Sequence, residues 1–440
     1  NYMRKFILKL SINILCFMFT LLFFNSCSKD EKKNCLTICT EESLLYEVEE
    51  AVQYFKDSQE TPVDIQISYI PFEQEDRASI CKKLRTELML GKGADLYIIK
   101  DYGISRNISV SQEEMLIADP NKLLTSGVFL DLSEYIEKDK EFQSCFAPVM
   151  EAGAVNGRQY IAPITFDVTL LRSHDEKGPL TYEDCTETIT NLLESGKLKE
   201  LSPADLLFYI KDWIGNSFDY QKGKVLFSQE HVSQVLEYAA GEAQKGIKEG
   251  SYEVISMQND QFLYTSPDSE MEIPEYQYLP FPTLDGRCSA TVLSYGAISR
   301  TCNNPELAYE FLKIFWSEGF ASGEGLTIPD QQYSKNYLID TIFNIGGLTV
   351  RQDQWHNWYR NKLENVETSE MFWKNEENML SVVQKVPTAR FICAVDYLGM
   401  DIRNIFWKDG ILNVDREGIQ DDIRTASDMI YNSTRYIIME

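Results

Sequence analysis

The sequence predicts an α/β protein of two lobes joined by crossing strands, with a ligand cleft between them. Three observations predict it. The chain has 440 residues, too many for one small core and well suited to two α/β lobes. Residues 35–99 alternate strand and helix patterns in the order β-α-β-α-β, which implies parallel strands with helices packed on the sheet. Residues 155–171 open with Asn156-Gly157, a pair that tolerates positive φ and suits a tight hairpin turn. They continue as an extended run rich in β-branched and aromatic residues, with Pro163 marking an edge or bend. This run is read as the strand that crosses between the lobes, and the chain as one that captures a small ligand.

The elements follow in order. Leu36-Thr37-Ile38 begins the first strand, and Thr40 or Ser43 is expected to cap the next helix, where Leu44, Leu45, Val48, Val52 and Phe55 recur at helical spacing. Val63 to Ile70 alternates as a second strand. Ile80, Cys81, Leu84 and Leu88 mark a second helix, stopped by Gly91 and Gly93. Ala94 to Ile99 is the third strand, and residues 100–126, poor in apolar anchors, read as an excursion. Thr181 to Asp184 is a capping pattern ahead of a helix holding Ile189, Leu192 and Leu193. Residues 203–249 are helical in pattern, with breaks near Gly215 and Gly223. Leu279 to Thr283 is a short extended segment, and Thr291 to Ser299 a strand. Asn304 caps a helix with Pro305 at its first position. A last helix carries Ile419, Ile423, Ala426 and Ile430 on one stripe. No internal repeat is evident.

Composition narrows the function. Hydrophobic content of 44% and charged content of 25% are ordinary for a folded chain. The first twenty-six residues carry Arg4, Lys5 and Lys9 and no acid, so the net charge of −26 leaves the remaining body at about −29. Such a body is a poor partner for nucleic acid or an anionic membrane surface. Met3-Arg4-Lys5 followed by an apolar run to Phe24 reads as an export signal. Ser26-Cys27 resembles the end of a bacterial lipobox, so Cys27 is the expected lipidation site and the polar residues after it a tether. The alternative is an uncleaved anchor; either way the body lies outside the cytoplasm. Of ten cysteines, those beyond Cys27 are expected to be mostly buried free thiols, with one or two bridges left open. Cys35 and Cys39 on one strand would sit roughly 13 Å apart at ~3.3 Å per residue, beyond bridging distance.

Catalytic motifs are absent. The three histidines, His174, His231 and His356, form no metal-binding pattern, and no nucleophile-elbow or phosphate-loop motif occurs. No metal and no cofactor is expected. In open α/β sheets ligands bind at the carboxyl ends of strands. The candidates there are Glu41 and Glu42 after the first strand, Asp101 and Tyr102 after the third, Asp167 at the crossing, and Tyr295 in the later strand. Sugars suit such a mixture, because carboxylates accept hydroxyl protons and aromatic faces cover apolar C–H surfaces.

Three stretches carry a family resemblance. Leu84 to Leu96, with Gly91-Lys92-Gly93-Ala94-Asp95, looks like a helix, glycine turn and Ala-Asp-hydrophobic strand. Asn156-Gly157-Arg158-Gln159-Tyr160-Ile161-Ala162-Pro163 resembles a Gly-Lys-Tyr-Ala-Pro crossover. Ser294-Tyr295-Gly296-Ala297-Ile298-Ser299 through Asn304-Pro305-Glu306-Leu307-Ala308 resembles a return crossing and helix. Together they resemble the bacterial extracellular solute-binding proteins of sugar ABC transporters, the family of maltose-binding protein. The resemblance implies a two-lobed periplasmic-binding-protein-like fold and delivery of a saccharide to a membrane permease by a monomer. It matches Asp167 to a hinge carboxylate, Asp101 and Tyr102 to a pocket, and Tyr264 to an aromatic platform. Leu170-Leu171-Arg172-Ser173 departs from the family's Tyr-Asn-Lys, and residues 345–390 match no family pattern. The expected division is a signal over 1–27, a tether over 28–34, a first lobe of 35–165 with 296–345, and a second of 166–295 with 346–440.

Two other readings stand beside this one. A surface enzyme could cleave glycans with paired carboxylates, and a receptor for a polyamine or peptide would also suit the acidic body.

Overall fold

A computed structural model describes residues 34–72, 76–100, 111–173, 178–247, 249–256, 274–318, 347–356 and 370–439. The chain begins as expected: β1 (Cys35–Glu41), α1 (Leu45–Ser58), β2 (Asp64–Ile70), α2 (Arg77–Met89) and β3 (Leu96–Lys100). β1 pairs in parallel with both β2 and β3. Gly91, at φ +66°, takes the chain out of α2. The expected caps of α1 do not form. A turn of 3-10 helix at Glu42–Leu44 intervenes, and Thr40 instead donates across the sheet to the Ile98 carbonyl at 2.8 Å.

After α3 (Pro120–Ser126) come the two-residue strands β4 (Ala154–Val155) and β5 (Arg158–Gln159). They form the expected hairpin, with Asn156 at φ 51° and Gly157 at φ 73°. The excursion is less open than expected, since Leu116, Ile117 and Leu124 enter the core. β6 (Ala162–Asp167) and β7 (Thr169–Ser173) are separated by Val168 alone. Thr181 and Asp184 form their capping box, but that helix stops at Cys185 and a second one, Ile189–Glu194, starts at the Thr188 cap.

The chain continues through α4 (Pro203–Phe208), α5 (Ile210–Ile214), β8 (Phe218–Asp219), β9 (Lys224–Val225), α6 (Gln229–Gln244), β10 (Glu253–Ser256) and β11 (Gln277–Pro280). It then forms β12 (Ser289–Ile298), α7 (Pro305–Leu312), β13 (Leu348–Thr349), α8 (Glu370–Val383), β14 (Thr388–Phe391), α9 (Ala394–Phe406) and α10 (Ile419–Met439). Asn304 caps α7 by accepting from the Leu307 amide at 3.3 Å. A Cβ at Gly296 would lie 2.1 Å from Leu312, so only glycine lets α7 approach β12 this closely.

Two sheets organise the molecule. The larger has the order β13-β6-β12-β3-β1-β2, with β14 also paired to β12; the smaller has the order β10-β7-β11. β12 runs antiparallel to both β3 and β6, while β14 runs parallel to β12. Two buried clusters accompany them, and the smaller sheet contributes to both: its Leu170, Ile255 and Tyr278 join the first, its Leu171, Val254 and Leu279 the second. The first gathers Ile38, Ile98, Phe166, Ala297, Phe311, Trp316 and Trp355. The second gathers Leu206, Trp213, Val235, Leu236, Phe406, Ile423 and Ile430. The architecture is a two-lobed α/β fold. Of residues 346–440, expected with the second lobe, Leu348, Val350, Trp355, Met379, Val383 and Phe391 pack into the first cluster, because β13 and β14 bond to the larger sheet. Ile402 to Ile438 pack into the second.

All eight described cysteines are free; six are buried, while Cys35 and Cys302 are partly exposed. Among the described residues no helix is long and apolar enough to cross a membrane. Cys27 and the expected export signal lie outside them.

Candidate functional site

Among the described residues the chain passes between the two lobes at three places: from β6 to β7 at Val168, from β11 to β12, and from β14 to α9. Polar side chains concentrate there. Asp167 pairs with Thr291 of β12, and Thr291 with Arg390 of β14. Residues in register across a sheet present the same face, so Asp167, Thr291 and Arg390 form one row. The second lobe supplies Lys211 and Asp212 from α5 and Ser256 from the end of β10.

Asp167 accepts a hydrogen bond from Ser256 Oγ at 2.5 Å. Burial raises its pKa, and Asp212 adds to the rise; Ser256 and Lys211 oppose it. Asp212 accepts from Thr169 Oγ1 at 2.7 Å. Arg390 and Asp396 make a buried two-pronged pair, Nη1 to Oδ2 at 2.6 Å and Nη2 to Oδ1 at 2.7 Å. Asp396 also accepts from the Cys393 amide at 2.8 Å, which ties the start of α9 to the last strand of the larger sheet. Burial alone would raise the Asp396 carboxyl; the adjoining guanidinium overrides it and holds the group below the usual carboxylate range.

Arg390 also borders a cavity of about 700 Å³ between the lobes. Asn121, Lys122 and Glu151 line it from the first lobe, and Asn216 and Tyr220 from the second. Asn216 Nδ2 bridges to Thr388 Oγ1 at 2.9 Å along its wall. That volume suits a small molecule. None of Glu41, Glu42, Asp167 and Tyr295 lines it. Among the described residues no group of His, Cys, Asp and Glu is arranged to hold a metal ion.

The residues expected at the site are distributed as follows. Asp167 is at the junction, buried, and in contact with the second lobe. Glu41 is buried and bonded to Arg77 at 2.9 Å; Arg77 also donates to the Pro71 and Glu114 carbonyls. Its carboxylate therefore serves a structural ion pair inside the first lobe. Glu42 is exposed at the strand end and accepts from the Phe72 amide at 2.6 Å. Tyr295 is buried with its ring edge-on to Phe391 at 5.2 Å. Phe391 follows Arg390 in the strand and faces the other side, so Tyr295 and Asp167 lie on opposite faces of the sheet. Asp101, Tyr102 and Tyr264 lie outside the described residues. Sequence reasoning missed Asp212, Ser256, Thr291, Arg390 and Asp396. The one available signal was Thr388-Ala389-Arg390-Phe391 followed by an acidic residue three positions after Cys393, a short strand running into a capped helix.

No family model matches the sequence, and no curated protein matches it. Solved structures do. An extracellular solute-binding protein, family 1, from Alicyclobacillus acidocaldarius matches with a TM-score of 0.52 at 13% identity, over 92% of this chain and 98% of that one. A periplasmic oligogalacturonide binding protein from Yersinia enterocolitica matches with a TM-score of 0.52 at 13% identity, over 92% and 100%. A cyclic alpha-maltosyl-1,6-maltose binding protein from Arthrobacter globiformis matches with a TM-score of 0.50 at 15% identity, over 91% and 98%. The chain has the two-lobed fold of extracellular solute-binding proteins.

Proposed function

We propose that this chain is the extracellular receptor of a carbohydrate ABC transporter and carries out no chemistry of its own. It captures an oligosaccharide between its lobes and delivers it to permease subunits. It is held at the outer face of the membrane by a lipid on Cys27 and acts as a monomer. The observation that carries the reading is the junction itself: among the described residues three crossings join the two lobes, and a buried carboxylate, Asp167, stands between them. The shared fold supports it, as does the likeness to the saccharide-binding proteins just described. Closure of two lobes on a ligand requires ligand contacts from both sides of such a junction. Asp101, Tyr102 and Tyr264 are proposed as further contacts, with Glu42 at the rim.

A thermal-shift screen tests the reading, using the chain from Ser28 onward, which contains every described residue. Saccharides are compared with polyamines and short peptides. A ligand at 100 times its dissociation constant adds ~2.7 kcal/mol and raises the melting temperature by a few degrees. A saccharide response is expected. A response to amines or peptides alone would keep the fold and overturn the sugar assignment, and turnover of a glycan would overturn the receptor. With the ligand in hand, Asp167→Asn is expected to weaken binding about tenfold or more, since a charge-assisted hydrogen bond contributes ~1.5–3 kcal/mol. Calorimetry showing an unchanged Kd would remove Asp167 from the site.

A further inference from the structure

The junction holds a carboxylate that the capture of a ligand does not explain. Asp119 precedes α3 and caps it: Oδ1 accepts from the Asn121 amide at 3.1 Å and from its side chain at 3.2 Å. The other oxygen, Oδ2, is buried with no hydrogen-bond partner among the described residues. Leu116, Ile117 and Leu124 anchor this segment in the first lobe's core. Tyr220, from the β8–β9 turn packed on the second lobe's core, lies beside the same carboxyl. Asn121 and Lys122 on one side and Tyr220 on the other line the 700 Å³ cavity. Asp119 therefore sits where the lobes meet, and any separation of them would admit water to it.

We propose that Asp119, covered by the turn that carries Tyr220, is a pH-sensitive latch between the lobes: the protonated carboxyl is tolerated in the present arrangement and its ionisation releases it. A carboxyl oxygen shut away from water is costly when charged and far less so when protonated, and the Tyr220 hydroxyl beside it offsets only part of that cost. Among the described residues the groups facing it are few. Lys122 lies on its own helix and Tyr220 on the opposing turn; Cys393 and Arg390 stand behind Tyr220, with Arg390 neutralised by Asp396. Burial pushes the Asp119 carboxyl up to about 6, against Asn121, Lys122 and Tyr220, which favour the charged form. Burial first, then Cys393 and Asp119, raise the Tyr220 hydroxyl, so it stays protonated. In water the carboxyl returns to its ordinary value. Because the pKa is higher in the present arrangement, protonation favours that arrangement. The stabilisation is full below the ordinary carboxylate range and is lost as pH rises through about 6.

The latch does not depend on which ligand is bound, so it is tested without one. Small-angle scattering of the ligand-free chain from Ser28 onward is recorded between pH 5 and 7.5. The radius of gyration is expected to increase as pH rises through about 6, and Asp119→Asn is expected to stay compact throughout. Tyr220→Phe removes a group that favours ionisation, so its transition is expected at higher pH. An identical profile for the parent chain and Asp119→Asn, or a parent profile that is flat, would overturn the latch. If Asp119→Asn does not fold, an unmoved midpoint in Tyr220→Phe overturns it equally. A failed sugar screen leaves these profiles unaffected.

Discussion

Asp396→Ala is expected to destabilise the chain by about 3–5 kcal/mol, the usual result of leaving one charge of a buried pair alone. Arg390 and Asp396 are both almost fully buried. Without the carboxylate, the guanidinium's hydrogen bonds among the described residues are to Phe391 O at 3.3 Å, Lys211 O at 3.4 Å and Cys393 Sγ at 3.9 Å, with Asp212 the nearby carboxylate. The Cys393 amide loses its acceptor as well. The pair spans the step from β14 to α9, so its loss also frees the third crossing between the lobes. Urea unfolding monitored by circular dichroism measures the effect. Arg390→Met combined with Asp396→Leu should recover much of the loss, because it removes both charges and keeps the volume. A single-variant loss below about 1 kcal/mol would show that the pair is not the lock described here.

Glu41→Ala is expected to produce a loss of similar size, about 3–5 kcal/mol, with ligand affinity unchanged in the fraction that remains folded. The residue stands at the carboxyl end of β1, where sequence reasoning placed a ligand contact. Its side chain turns inward to Arg77, and Arg77 in turn ties the segments around Pro71 and Glu114 to the sheet. Removing the carboxylate therefore takes from a buried guanidinium its ion-pair partner. Denaturant melts and calorimetric titration of the same preparation separate the two roles. A tenfold loss of affinity with unchanged stability would return Glu41 to the ligand site.

Glu42 and Tyr295 illustrate the same limit. Both were chosen because they lie at or near strand ends, a rule that locates a site without saying which way each side chain points. A bulge in β12 between Val292 and Tyr295 alters the register there, and Tyr295 ends on the Phe391 face, away from Asp167. No periodicity in the sequence announces such a bulge. Asp167 could be read more directly, because the strand that carries it is defined on both sides by local features.

The sequence by itself determined the local elements and their order. The turn at Asn156-Gly157, the stop at Gly91, the caps at Thr181 and Asn304 and the parallel β1-β2-β3 unit follow from backbone preferences and side-chain periods within a dozen residues. Tertiary structure alone decided which of the short strands joined which sheet. β13 and β14 contribute two and four residues, too few to show a period, and they take their place only by bonding to β6 and β12. It also decided which polar groups were used up in pairing. Arg77 meets Glu41 across 36 positions and Asn216 meets Thr388 across 172, because burial forces each polar group to find whatever partner the topology brings within reach.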